Sequence, residues 1–387
     1  MDDGSPNIER EVLRRYAEAS KQTEAALCCP VTYDPKYLEV IPSEIIERDY
    51  GCGDPSRYVR EGDVVLDLGS GAGKICYIAS QIVGPSGRVI GVDFNPAMLK
   101  LARKHRQAVA KGIGWSNVEF RRGRIQDLRT DLDAFEKCLA KHPISSLAEF
   151  DEAEDARRRA GLETPLVADG SVNIVISNCV LNLVRAEEKP RLFREMFRVL
   201  KRGGRVAISD IVSDEDVPDR MRDDATLWSG CISGSYQERE FLRAFEAAGF
   251  YGVAIDKRDA EPWQTVEGIE FRSVTVTAYK GKEGPCLERN QAVIYKGPWS
   301  AVHDDDGHVL ERGVPVAVCD KTFKIYTAEP YGRDIIPVPP RVDVPLEKAG
   351  AFDCSRPARR NPRETKGQEY KATTEAASQC CPDQSCC

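Results

Sequence analysis

The chain has 387 residues, 41% hydrophobic and 30% charged, with a formal net charge of −7 and four histidines. This is the composition of a globular protein with room for one large domain and a smaller one. The acidic balance argues against nucleic acid, whose phosphates need a basic surface, and against an anionic membrane. The N-terminus is charged throughout and lacks the apolar core of a signal peptide. The longest apolar stretch, 172–184, is broken by Asn173, Ser177, Asn178 and Asn182 and is too short to span a bilayer. A cytoplasmic protein is expected. In chain order, residues 7–27 place Ile8, Val12, Leu13, Tyr16 and Ala17 at helical spacing and stop at Pro30, so 1–60 is read as an N-terminal helix and an arm. From residue 61, strand-like runs alternate with helical ones, beginning "DVVLDLG", "KICYIASQIVG", "RVIGVDF", "NPAMLKLARKHRQAVA". The alternation continues to 281 and predicts a doubly wound α/β sheet, with a polar, helix-prone insertion at about 128–168. The runs "QAVIYKG", "VPVAVCD" and "TFKIYTA" predict a small β-rich subdomain over 286–330. From 331 to 387 proline and charge rise, which predicts a tail, ending in "CCPDQSCC".

Fourteen cysteines are many for a reducing compartment, where thiols serve metal or redox chemistry more than structural disulfides. They show no paired CxxC spacing of the kind that builds a structural zinc site. Cys76, beside Ile75 in a helical run, reads as core; Cys138, Cys286, Cys319 and Cys354 read as structural or incidental, Cys319 alternating like a strand residue.

"VVLDLGSGAGK" passes from strand to glycine loop to helix, with Gly69, Gly71 and Gly73 at G-x-G-x-G spacing. Lys74 stands where a dinucleotide-binding loop has its third glycine. Asp67, just before the loop, is placed to face an ammonium group, and Asp93, ending "GVD", to accept ribose hydroxyls. Over residues 62 to about 212 the chain resembles the class I S-adenosylmethionine-dependent methyltransferases. The resemblance implies a Rossmann-like sheet in which Asp67, Gly69, Gly71 and Gly73 hold the methionine part of S-adenosylmethionine. It places Asp93 on the ribose, Phe94 beside the adenine, and Ile125 and Gln126 of "GRIQDL" against the adenine ring.

Ligands of an open α/β sheet bind beyond the carboxyl ends of its strands. Cys179 follows such an end, Cys231 lies in a glycine-rich loop beyond the next strand, and Cys52 sits between Gly51 and Gly53 on the arm. Three thiols thus have a route to one mouth beside a methyl donor. Soft ligands select soft centres, and trivalent arsenic held by thiolates keeps a lone pair that needs no general base.

The motifs "CCPVTYDP", "DYGCGDP", "ISNCVLNL" and "SGCISG", in that order with the glycine loop, resemble those of arsenite methyltransferases from about residue 28 to 281. The resemblance implies that Cys179 and Cys231 form the stable As(III) pair and that Cys52 is the third ligand in turnover. It implies Cys28 or Cys29 as the disulfide partner of Cys52, and Tyr50 as the residue shaping the methyl-transfer face. Substrates would be arsenite and methylated As(III) as thiol adducts, in arsenic detoxification, with thioredoxin or glutathione as thiol reductant. Gly230 departs from the pattern, since the animal enzymes carry an acid there. Cys380, Cys381, Cys386 and Cys387 offer accessory arsenic capture, and a monomer is expected. The rival readings are a class I methyltransferase of a small organic acceptor and a non-catalytic metalloid-binding protein.

Overall fold

Valine and isoleucine runs without polar alternation suit strands covered on both faces, and the chain supplies several. In the computed structural model, which describes residues 8–24, 31–48, 50–355 and 358–373, these runs form the centre of the first of two units divided after Gly281. Helix α1 (Ile8–Ala19) opens the chain. Strand β1 (Val64–Leu68), helix α2 (Lys74–Val83), β2 (Arg88–Asp93), α3 (Pro96–Ile113) and β3 (Val118–Arg122) follow. The excursion at 128–168 is a helix pair, α4 (Leu132–Lys141) and α5 (Leu147–Glu163). Then come β4 (Val172–Asn178), α6 (Lys189–Val199), β5 (Leu200–Ser213), β6 (Tyr236–Gln237), α7 (Glu238–Ala247), β7 (Tyr251–Arg258), β8 (Gln264–Val266) and β9 (Ile269–Tyr279).

The sheet runs β3-β2-β1-β4-β5-β9-β7. Neighbours from β3 to β5 are parallel, while β9 pairs antiparallel with β5 and β7. The order reverses between β1 and β4, and that switch point opens a crevice at the strand ends. Apolar side chains from both faces of the sheet build two cores, one holding Leu66, Phe193 and Phe245, the other Val65, Tyr77 and Met98. Among the described residues no helix is long and apolar enough to cross a membrane.

Helix α1 ends at Ala19, short of the expected 27. The Ser20 hydroxyl donates to Ala17 O at 2.7 Å, and the Tyr50 hydroxyl donates to Ala19 O at 3.0 Å, so side chains take up carbonyls the next turn would have used.

The second unit contains β10 (Leu287–Glu288), β11 (Ala292–Tyr295), β12 (Ala301–His303), β13 (Val309–Glu311), β14 (Pro315–Ala317), α8 (Asp320–Tyr326), β15 (Ile335–Val338) and β16 (Gly350–Ala351). β11 is flanked by β14 and β15, β12 pairs β13, and β10 pairs β16. Two expectations are corrected here. "TFKIYTA" is not a strand: Cys319 caps α8 by accepting the Thr322 N–H on its sulfur at 3.4 Å. The fold does not give way to a tail at 331 either. β15 pairs β11, and Arg360, 6% exposed, ties 358–373 back by a two-pronged bond to Glu288 at 2.8 and 2.9 Å.

Candidate active site

The crevice beyond β1 and β2 is a cleft of about 960 Å³, counted to its open mouth. One side is the glycine loop. Gly69 and Gly71 have φ of +69° and +51°, and a Cβ on Gly69 would lie 2.4 Å from the Val180 side chain, whereas one on Gly71 would enter open space. Asp93 shapes the loop, accepting the Gly71 N–H at 2.8 Å and the Asn95 N–H at 2.7 Å. Burial pushes its carboxyl up, and the backbone donors pull it partly back. Phe94, Ile125 and Gln126 line the same cleft, Phe94 with the Arg124 guanidinium 4.6 Å over its ring, and Gln126 donating to Glu188 at 3.0 Å. Asp67 and Gly73 are not among the lining residues. Asp67 is buried under the loop, where Cys76 donates to it at 3.2 Å, and Gly73 starts α2 with φ of +90°. A backbone cradle, a carboxylate at the strand end and an apolar slot fit the parts of S-adenosylmethionine in turn.

A thiol lines the same cleft. Cys179 lines it beside Val180 and Leu183. Cys179 and Cys231 have φ of +62° and +63°, a region in which residues bearing a Cβ are strained by about 1–2 kcal/mol. Cys231 donates its thiol to Cys179 O at 3.2 Å. Hydrogen bonds with Cys231, then with Cys52, hold the Cys179 thiol well above its ordinary pKa, with burial adding to the shift. Cys179 is thus the middle member of the trio. Burial also pushes Cys52 up, against a lowering bond with Cys179. The trio does not draw all of its sulfurs within 4.8 Å of one another, as cysteines elsewhere in the chain do.

Gly51 and Gly53 place Cys52 by letting backbone meet side chain. Asn178, the last residue of β4, accepts the Cys52 and Gly53 N–H groups at 2.9 and 3.0 Å and donates to Gly53 O at 2.8 Å. A Cβ on Gly51 would lie 2.2 Å from Asn178, and one on Gly53 would lie 2.4 Å from the Ser209 hydroxyl. Ser273 donates to Cys52 O at 2.7 Å. Glycines are required because the arm lies directly on the strand end that carries Cys179.

Sequence reasoning missed three contributors. Tyr16 of α1 lines the cleft and hydrogen-bonds Cys231; loss of water contact and the neighbouring Cys231 and Cys179 hold its hydroxyl far above its ordinary pKa. Its apolar spacing was a true signal, but it marked the roof of the cleft as well as core. Asn178 was visible only as a polar residue breaking an apolar strand. Asp210 accepts Leu181 N–H and Ile211 N–H, both at 2.8 Å, which fixes the turn after Cys179; burial pushes its carboxyl up to about 6. Tyr50 lines the cleft with its ring, 6.2 Å from that of Tyr16, while its hydroxyl serves the 19–24 backbone. At Gly230 the Arg15 guanidinium, held by Thr226 O and Ser229, occupies the space beside the missing side chain. Cys28, Cys29, Cys380, Cys381, Cys386 and Cys387 lie outside the described residues.

Residues 60–249 match the family model of a methyltransferase domain, and 282–370 match that of a domain of unknown function. Arsenite methyltransferase of Aquipseudomonas alcaligenes is 32% identical over 327 residues, which cover 80% of this chain and 84% of that protein. The Homo sapiens arsenite methyltransferase is 28% identical over 346 residues, covering 84% of this chain and 80% of that one. The crystal structure of an arsenic(III) S-adenosylmethionine methyltransferase from Chlamydomonas reinhardtii matches with a TM-score of 0.54 at 27% identity, over 84% of this chain and 100% of that chain. With Cys179 on the wall of the cofactor cleft and relatives matched over most of their own length, the chain belongs to the arsenite methyltransferase family.

Proposed function

We propose that this chain methylates trivalent arsenic, arsenite first and methylarsenite after it, in arsenic detoxification. One observation carries the reading: the cleft lined by Gly69, Gly71 and Asp93 is the same cleft that Cys179 lines, so a methyl donor seated on the loop faces sulfur. Gly69 and Gly71 hold the methionine part of the donor, with Asp67 and Gly73 supporting the loop from outside the cleft lining, Asp93 holds the ribose, and Phe94, Ile125 and Gln126 the adenine. When bound, S-adenosylmethionine supplies an electrophilic sulfonium methyl that the arsenic lone pair takes up.

The chain's own task is to present that lone pair. Cys179 and Cys231 exchange their thiol protons for As–S bonds, each releasing a hydroxide of arsenite as water, and Cys52 adds the third. Three sulfurs on one side leave the lone pair on the other, and catalysis is then mainly positioning. Among the described residues the cleft lining contains no histidine, and Glu9, another acid of that lining, is paired with Arg124 at 2.7 Å. A lone-pair nucleophile needs neither. Forming the As–C bond raises arsenic to the pentavalent state. Two electrons return it when Cys52 and Cys28 or Cys29 close a disulfide, which thioredoxin or glutathione reopens. Tyr50 shapes the transfer face.

The test is conversion of S-adenosylmethionine to its demethylated product, with and without arsenite plus a thiol reductant. Turnover should depend on arsenite and fall by at least about a hundredfold in Cys179→Ser and Cys231→Ser. Turnover indifferent to arsenite and to both cysteines would transfer the enzyme to organic acceptors.

A further inference from the structure

The second unit holds a sulfur cluster tighter than that of the cleft. The ligating atoms of Cys286, Cys319 and Cys354 all lie within 4.8 Å of one another. They come from three places: Cys286 immediately precedes β10, Cys319 caps α8, and Cys354 follows β16. Pairing of β10 with β16, Leu287 opposite Ala351, brings the first and last together, and the Phe352 N–H donates to Cys286 O at 2.9 Å. Cys319 is fully buried, while Cys286 and Cys354 are half-buried, so the cluster has a protected floor and an open rim. Thr322 fixes the floor sulfur, with its N–H at 3.4 Å and its hydroxyl at 3.2 Å. Burial pushes the Cys319 thiol up, but bonds from Thr322, Cys354 and Cys286 outweigh it and bring it below its ordinary value.

We propose that Cys286, Cys319 and Cys354 form a second, non-catalytic site that binds trivalent arsenic as a three-thiolate adduct. Among the described residues no histidine, carboxylate or further cysteine joins this group as a fourth ligand. Structural zinc takes four ligands in a tetrahedron, whereas a trivalent metalloid is complete with three sulfurs in a pyramid. Binding is a condensation without redox change. Three As–O bonds of arsenous acid are replaced by three As–S bonds, and the three thiol protons leave with the hydroxides as three waters. The adduct cross-links three separate segments of the unit, where β10 and β16 pair over only two residues each. The assignment stands on the thiols of this unit alone and does not depend on methyl transfer.

The test uses the full chain with Cys179→Ser and Cys231→Ser, in which the cleft chemistry is disabled, and arsenite as the probe. Arsenic bound per chain after gel filtration should fall by one equivalent when Cys286→Ser and Cys354→Ser are added. Both residues are half-buried, so the fold tolerates the change, and circular dichroism checks this. X-ray absorption of the difference should show three sulfurs per arsenic. Arsenite should also raise the thermal midpoint of the second unit in the parent and leave it unmoved in the Ser variant. The same arsenic stoichiometry with and without Cys286 and Cys354 would overturn the proposal. So would one tightly held zinc per chain that arsenite fails to displace, or a disulfide among the three that persists under reductant.

Discussion

The φ angles of +62° at Cys179 and +63° at Cys231 separate what these residues do for the reaction from what they cost the fold. A glycine at 179 removes both the sulfur and the strain, whereas an alanine removes only the sulfur. Both variants should lack arsenite-dependent turnover, and Cys179→Gly should be more stable than Cys179→Ala by about 1 kcal/mol in urea melts. The reverse argument applies to Gly51, whose added Cβ would lie 2.2 Å from the Asn178 amide. Gly51→Ala should destabilise the first unit by about 1–3 kcal/mol through overpacking and lower turnover, because it displaces the backbone that holds Cys52. Tyr16→Phe deletes only the hydroxyl on Cys231. Cys231 loses that neighbour, so the arsenite KM should rise about tenfold, with the fold intact. Of these residues the sequence exposed the cysteines and glycines, through motif and spacing. It hid Tyr16, because a residue that faces both core and cleft has the same periodicity as one that faces core alone.

At the level of elements, Asn95 joins cofactor loop, helix and roof. Its side-chain oxygen caps α3, accepting Ala97 N–H at 2.9 Å, and its amide donates to Leu13 O of α1 at 3.1 Å. The two functions can be separated. Asn95→Ala should cost about 1–2 kcal/mol of stability and raise the KM for S-adenosylmethionine, whereas Asn95→Asp should keep the cap and raise the KM alone. Unfolding and steady-state kinetics on the pair decide it. The alternation of strands and helices from 61 to 281 was readable because buried parallel strands and amphipathic helices have distinct periods. In "TFKIYTA" the period was ambiguous over so short a run, and the deciding signal was the cap at Cys319, a residue type with no strong capping preference. The trio Cys286, Cys319 and Cys354 was equally hidden, since only the closed topology of β10 and β16 makes residues so far apart in the chain into neighbours.

For the whole molecule, the second unit shows where composition misleads. Proline and charge suggested a tail beyond 330, yet charge is accepted inside a fold when it is paired, as Arg360 is with Glu288 and, at 2.8 Å, with Glu364. The same unit should carry a pH signature. Asp304 is 2.8 Å from His308 and also accepts the Tyr326 hydroxyl. Burial pushes Asp304 up, but bonds from His308 and Tyr326 outweigh it and bring it from 3.8 down to about 2, while the Asp304 bond raises His308 above 6.5. Stability from Asp304 is present above pH 3.8 and lost toward 2; that from His308 is present below 6.5 and lost as pH rises through its folded value. Thermal midpoints of this unit should therefore peak between about pH 4 and 6.5, and Asp304→Asn should flatten the profile with a loss of about 1–2 kcal/mol, the partial water contact trimming the effect. In the first unit, α1 touches both ligands' ground: Glu9, Val12 and Leu13 line the cofactor cleft, and Tyr16 of the same helix reaches Cys231. One helix thus walls the donor's cleft and borders a substrate thiol. Variants of α1 should therefore shift the affinities for donor and arsenite together, a coupling carried by one shared helix.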